Sequence, residues 1–360
     1  MSRTRRRFPV FYIVLLAFIV LFFAAFFYGL TLLKDWLADY EASLPKYAAE
    51  AVFEQYYQSE DKSALLSGAG FETSPYESEG DALQKLSEAI DGQPLSYTSV
   101  STGLDGREKY NVKAGEKKIS SFTLAKSGRS SKYGHDLYAL ESLEVFVKKD
   151  QSASVMVPDG YTLTFNGKEA DTSLIKEKDI PTPSCEHMPE GVKGLTYSLY
   201  EITDLLYAPQ VKVISPDGRE CELGIDEQRD VPKAAIVYDD ALQSEMSEHV
   251  LTAAKAYAAF MQMDGNRNKV LSYFEKGTPL YDGISTVEYY FVIPHSSYDF
   301  EDVKCGEFFR YDDNTFSCRV SFVHVLKKPG MEDFRDFIDI TFYLRRVGDQ
   351  YLIYDRYNNN

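Results

Sequence analysis

Residues 253–272, AAKAYAAFMQMDGNRNKVLS, lie without a gap over residues 48–67, AAEAVFEQYYQSEDKSALLS, and five of the twenty positions are identical: Ala48, Ala49, Ala51, Leu66 and Ser67 with their counterparts 205 residues later. Both copies sit in helical patterns. Around the second, Leu242, Met246, Val250, Ala253, Tyr257 and Phe260 recur at the 3.6-residue period, which predicts a helix over Asp239–Met263. Around the first, Tyr47, Ala48, Ala51, Val52 and Tyr56 share one face of a helix over Lys46–Gln58 that starts at Pro45. Each helix is followed by strands. In the first block Asp81–Ile90 reads as a shorter helix, then Leu95–Thr102, Lys109–Ala114, Lys117–Ala125 and Asp136–Val147 alternate with period two, separated by Gly103, Asp105-Gly106, Gly115-Glu116 and a loop over Lys126–Gly134. In the second, Asn268–Glu275 reads as a short polar turn, and Glu288–Ile293, Lys304–Tyr311, Phe316–Leu326, Asp336–Arg346 and Tyr351–Arg356 alternate, with turns at Asp312-Asp313-Asn314 and Gly348-Asp349. Ile338, Ile340, Phe342 and Leu344 share one strand face. Helices followed by antiparallel strands, written twice, predict an α+β chain with a duplicated fold.

Between the copies, Ser152–Glu227 carries no helical period. Ser154–Val157, Tyr161–Phe165 and Gln210–Ile214 read as short strands, with turns at Pro158-Asp159-Gly160, Asn166-Gly167 and Pro216-Asp217-Gly218. A small all-β module is expected over 151–230, flanked by α+β domains over 45–150 and 239–360.

Ahead of all this stands FPVFYIVLLAFIVLFFAAFFYGLTLL, Phe8–Leu33, without one charged side chain. At about 1.5 Å per residue it can cross a hydrocarbon core roughly 30 Å thick. Arg3, Arg5, Arg6 and Arg7 precede it, whereas Lys34 and Asp35 cancel after it, so the positive-inside bias places residues 1–7 in the cytoplasm and the bulk outside. A cleaved signal peptide would have a shorter apolar core and a small-x-small cleavage site. A type II single-pass anchor is expected, with 34–44 as a charged juxtamembrane linker.

The formal charge is −16, and the four leading arginines leave 35 basic against 55 acidic residues beyond the anchor, or −20. Such a surface repels nucleic acid, which excludes that class of partner. With 44% hydrophobic and 14% aromatic residues, the chain has material for two or three cored domains.

Two resemblances follow from these residues. VPDGYTLTFNGK (157–168) resembles the opening hairpin of small β-sandwich repeats of bacterial surface proteins. The helix, short helix and long strands over Ala38–Lys149 and again over Asp239–Tyr357 resemble the nuclear transport factor 2-like cone. Single-pass envelope proteins of low-GC Gram-positive bacteria often carry such cones outside the membrane, including one ahead of the catalytic domain in some penicillin-binding proteins. The resemblance implies two cones flanking a β-sandwich module. Cones serve as enzymes, ligand pockets and inert scaffolds, so fold here does not imply function.

Candidate chemistry is sparse. Ser173-Leu-Ile-Lys176 matches the S-x-x-K spacing of penicillin-binding enzymes, but no S-x-N or K-T-G partner follows. His135, His187, His249, His295 and His324 show no metal-ligand spacing, and no metal or other cofactor is expected. His324 alternates with Val320 and Phe322, so it is the candidate for the cone interior, alongside Asp339 or Tyr343 as a ligand-binding set. A carboxylate and a phenol in an apolar cone would suit proton transfer. Cys185 and Cys221 in the middle module, and Cys305 and Cys318 on neighbouring strands, are disulfide candidates, with free buried thiols as the alternative. The expectation is a membrane-anchored extracytoplasmic binding or scaffolding protein with an envelope protein as partner and no catalysis. A ligand sensor or a small-molecule enzyme working from a cone pocket is the alternative; with seven residues before the anchor, a sensor is expected to signal through a partner.

Overall fold

The computed structural model describes residues 10–102, 106–288 and 292–359. The expected cytoplasmic arginines, the start of the apolar run at Phe8, the turn residues Gly103 and Asp105, and positions 289–291 of the expected strand Glu288–Ile293 lie outside the described residues. Glu288, Val292 and Ile293 themselves are not in a strand.

The chain divides into two compact units, 1–151 with 203–208, and 152–202 with 209–360. In the first, α1 (Val10–Ser43) is one uninterrupted helix. Its most apolar stretch buries nothing against the protein. The segment 34–44 expected as a linker is therefore helical as far as Ser43. Nothing in DWLADYEAS breaks a helix, and the chain turns only at Leu44, whose extended backbone precedes Pro45.

α2 (Pro45–Phe53) continues through a π-helical turn, Glu54–Gln58, and is followed by α3 (Ser63–Gly68) and α4 (Glu79–Ile90). α4 begins two residues before its apolar pattern because of a capping box. Ser78 Oγ accepts from the Asp81 amide at 3.2 Å, and the Asp81 carboxylate accepts from the Ser78 amide at 2.6 Å. The strands β1 (Leu95–Thr102), β2 (Glu108–Ala114), β3 (Lys117–Ser130) and β4 (Asp136–Val145) form an antiparallel meander in sequence order. Ala49, Val52, Phe53 and Tyr57 meet Val112, Ile119, Phe122 and Leu124 in one core, and the Tyr57 and Ser120 hydroxyls pair at 2.6 Å inside it. Leu206, from the segment 203–208, joins that core with no exposed surface. Glu77 holds the segment in place: Oε1 accepts from the amides of Leu206 at 2.7 Å and Tyr207 at 3.1 Å.

After the first meander come eight strands, in the second unit apart from Gln151 and residues 203–205: β5 (Gln151–Pro158), β6 (Thr162–Phe165), β7 (Lys168–Glu169), β8 (Ile175–Pro181), β9 (Thr196–Leu205), β10 (Val211–Ile214), β11 (Leu223–Asp226) and β12 (Val231–Ala234). They make a three-stranded sheet, β10-β6-β7, and a five-stranded sheet, β11-β12-β5-β9-β8. The β6–β7 turn is Asn166-Gly167, both at positive φ, as a tight two-residue hairpin requires.

Then come α5 (Asp240–Met261), α6 (Arg267–Leu271), α7 (Pro279–Thr286), and a second meander of β13 (Ser297–Arg310), β14 (Thr315–Lys327), β15 (Phe334–Val347) and β16 (Gln350–Asn358). Three helices followed by a four-stranded meander thus occur in both units. The equivalence at offset 205 places the end of α2 over the end of α5 and α3 over α6.

Parity decides what each face of the second meander carries. Phe316, Cys318, Val320, Phe322 and His324 on β14 stand opposite Leu344, Phe342, Ile340, Ile338 and Asp336 on β15. The apolar members of this face pack with Leu242, Met246, Val250 and Ala253 of α5. The odd-numbered face meets the β-sheets: Phe309 and Tyr311 pack against Met156, Ile180, Leu195 and Tyr197. Phe342 has no exposed surface and touches only the α5 side. Phe342→Ala is expected to lower the unfolding free energy of the second unit by about 3–5 kcal/mol in a urea titration. Loss under about 1 kcal/mol would mean the core can close over the gap.

Candidate functional site

The expected cone-interior set does not assemble. His324 lies on the α5 face of the second meander, whereas Asp339 and Tyr343 are odd-numbered residues of β15 and point to the other side. Asp339 pairs with Arg319 through two hydrogen bonds, at 2.8 and 2.7 Å, and accepts from the Asn359 amide group at 3.0 Å. The guanidinium beside it holds its carboxyl below the ordinary value of 3.8. Tyr343 stacks on the His187 ring, centroids 4.6 Å apart, and His187 Nδ1 lies 2.7 Å from the Asp355 carboxylate. Burial pushes the Tyr343 phenol up. This packed cluster joins a turn of the β-sheets to the second meander.

His324 is 1% exposed and is enclosed by Phe300, stacked at 4.8 Å, and Tyr298, edge-on at 5.5 Å. Its Nε2 has no hydrogen-bond partner among the described residues. Burial lowers its pKa from 6.5, nearby His295 adds to that, and Asp336 and Asp264 oppose it. His295 is the reverse case. Nδ1 faces the Ile293 carbonyl at 2.5 Å and Nε2 faces Asp264 at 2.6 Å, so both nitrogens can donate and the charged form is favoured. The space between α5 and the second meander is filled with the unit's own side chains: Phe308, Phe316, Phe322 and Phe342 are at most 1% exposed.

The other expected residues are placed as follows. Ser173 stands in a 3-10 turn and Lys176 on β8, paired with Glu201 at 2.7 Å, so the S-x-x-K spacing does not bring the two onto one helix. All four cysteines are free thiols. Cys305 and Cys318 meet side chain to side chain on adjoining strands, and full burial drives Cys318 far up. Cys185 donates to the Leu195 carbonyl at 3.2 Å, while Cys221 lies 3.9 Å from the Arg219 carbonyl, so these two have separate surroundings. Among the described residues no three of His, Cys, Asp and Glu converge as metal ligands.

A groove of about 840 Å³ lies in the second unit, a size that suits binding. Its floor includes Tyr161, Tyr238, Phe309 and Tyr311, and its walls carry Asp159, Lys193, Asp217, Arg219, Asp239, Asp240 and Arg310. Turn chemistry places these residues. Asp159 is the centre of the Pro158-Asp159-Gly160 turn, and its carboxylate accepts from Lys193 at 2.8 Å, Thr196 at 2.6 Å and Ser198 at 3.0 Å. Burial alone would raise its pKa, and these three donors together bring it below 3.8. Arg219 reaches Asp217 at 2.7 Å, Asp240 at 2.9 Å and the Tyr238 carbonyl at 2.7 Å. The Ser215 hydroxyl and Arg219 bring Asp217 down to about 2. Asp239 caps α5 by accepting from the Leu242 amide at 2.8 Å and takes Arg310 at 3.1 Å. Gly194 is required where it stands, because a Cβ would come within 2.7 Å of Cys185. Every acid in the groove wall is met by a base, and no histidine or cysteine lines it. The arrangement offers an aromatic floor and a rim of alternating charge, which suits holding a polypeptide better than activating a nucleophile. Sequence reading marked the Pro-Asp-Gly turns as turns only; their pairing with α5 needs the tertiary fold.

No family model and no curated protein sequence matches the chain. A solved structure described as "Ntf2 like protein involved in plasmid conjugation" is similar to it with a TM-score of 0.22 and 9% identity, over 74% of this chain and 76% of that one.

The two histidines predict opposite pH behaviour. His295, raised in the fold, contributes stability below pH 6.5 that is lost as pH rises through its folded value. His324, lowered in the fold, contributes above pH 6.5 and costs stability as pH falls through its folded value. His324→Phe should therefore lose less stability than the native chain between pH 7 and 5.5 in parallel denaturant titrations. An unchanged fall would show that His324 is not the group being protonated.

Proposed function

We propose that this chain is a single-pass, type II membrane-anchored protein of a bacterial cell envelope, of the low-GC Gram-positive kind, whose outer part binds or scaffolds a protein partner without catalysis. The observation that carries the reading is α1, whose apolar side chains from Val10 to Leu33 are covered by nothing in the protein. Such a surface is unstable in water and at rest in a bilayer. In this reading the two repeats of three helices and a meander are nuclear transport factor 2-like cones, and the residues between them are a β module. Their interiors are occupied by core side chains, which supports scaffolding over a cone pocket, and the self-neutralised groove of the second unit is the docking surface.

The test is photo-cross-linking in the native membrane with a benzoyl-phenylalanine at Tyr238 in the groove, and at Leu223 outside it as control. A discrete adduct at Tyr238 alone is expected, with a protein that protease added outside the membrane can reach. The same ladder of adducts at both positions would remove the groove from the account, and a cytoplasmic adduct would overturn the topology.

A further inference from the structure

The hairpin of β3 and β4 is longer than its alternation predicts. The segment 126–134, expected as a loop, is strand as far as Ser130, and the pairing resumes at Ser130 with Asp136 after an irregularity. The tip docks on α1. His135 meets the rings of Trp36 at 5.0 Å and Tyr40 at 5.2 Å, both edge-on, and these two rings stack on each other at 5.9 Å. The Asp39 carboxylate accepts from the Ser131 hydroxyl and from the Tyr133 amide, the latter at 3.2 Å. These bonds hold its carboxyl below 3.8.

That contact fixes the height of the tip. Along a continuous helix, Trp36 stands about 4–5 Å and Tyr40 about 10 Å beyond Leu33, the last residue of the apolar run, and any tilt of the helix reduces both. The headgroup layer on one side of a bilayer is roughly 5–7 Å deep. A tip seated on residues 36–40 therefore stands at its outer edge, within a Debye length of about 8–10 Å of the lipid charges. Trp and Tyr at this level are the usual interfacial residues.

The charges of the tip differ from the rest of the outer chain. Lys126, Arg129 and Lys132 are exposed, against one acid, Asp136, which Lys126 meets at 2.6 Å. Lys132 lies over the Tyr133 ring at 4.9 Å and feels Asp35 and Asp39 on the helix. Lys46 meets Glu41 at 3.5 Å, so of the acids on this part of α1 it is Asp35 and Asp39 that act on Lys132. Among the described residues Arg129, at the end of the hairpin, makes no ion pair. The outer chain as a whole carries −20, which an anionic membrane repels, so a basic tip held against the surface is a local reversal of sign.

We propose that the β3–β4 hairpin tip, through Arg129 and Lys132, is a contact site for anionic phospholipid headgroups that sets the orientation of the first unit on the membrane. The inference rests on the membrane reading of α1. The experiment uses the full chain in nanodiscs of phosphatidylcholine alone or with phosphatidylglycerol at about a third of the lipid. Trypsin cleavage after Arg129 and Lys132 is timed by mass spectrometry against cleavage after Lys168 in the same molecule. In the anionic discs cleavage at the tip should slow on the order of fivefold at low salt, recover in about 1 M salt, and remain unchanged at Lys168. Equal tip rates in both lipids would overturn the proposal, as would slowing that salt does not relieve. Trp36 is the only tryptophan in the chain, so its quenching by brominated lipid reads the anchor separately. Quenching with equal tip rates refutes the headgroup contact alone, whereas no quenching refutes the anchor beneath it.

Discussion

The second unit depends on the fit of α5 into one face of a four-stranded antiparallel meander. A strand offers its side chains to opposite faces in turn, so once Phe316, Val320 and Phe322 are committed to the helix, the destination of every other side chain on β14 and β15 is settled. His324 goes inward and has to give up its charge. Asp339, Tyr343 and Arg319 go outward, where the ion pair ties β14 to β15 and His187 stacked on Tyr343 joins the 3-10 turn over Pro183–His187 to the meander. Polar residues that alternate with a hydrophobic core are thus structural here. The first unit repeats the arrangement with α2 and Phe122, and adds Leu206 and the Glu77 carboxylate as a clasp on a returning segment.

The same packing bears on function. Large aromatic side chains, Phe308, Phe316, Phe322 and Phe342, fill the space between α5 and the meander in the second unit. The groove of this unit is on the outside of the meander, where turns of the β-sheets approach the start of α5. Its acids and bases pair with one another at 2.7–3.1 Å, so the groove walls are held in place by the protein's own side chains. Pre-formed polar surfaces of this kind select a partner by complementarity at low entropic cost.

Much of this was legible in the residues. The 3.6-residue period of α5, the alternation of β14–β16 and the offset of 205 between the copies are local signals, and each located its element to within a few residues. What was not legible came from interactions between distant segments. α7 was missed because TPLYDGIST has a threonine cap and a proline start but only a short apolar face. The strands β8, β11 and β12, of four to seven residues, were missed because they are too short to show a period, and β9, TYSLYEITDL, because polar residues interrupt its alternation. The cone-interior set failed on parity: Ile338, Ile340, Phe342 and Leu344 already claimed the inner face of β15, which leaves Asp339 and Tyr343 no way in. The joining of α1 to the β3–β4 hairpin was hidden because a charged segment reads as a linker until its aromatic rings find a partner.

The central claim is that α1 stays with the chain as an anchor. It is tested most directly by intact mass spectrometry of the protein extracted from its own membrane after an alkaline wash. The account predicts a single species with the mass of the whole chain, Phe8–Leu33 included, retained in the washed membrane. A mature form lacking about the first thirty residues, released by the wash, would identify the apolar run as a signal sequence and contradict the account.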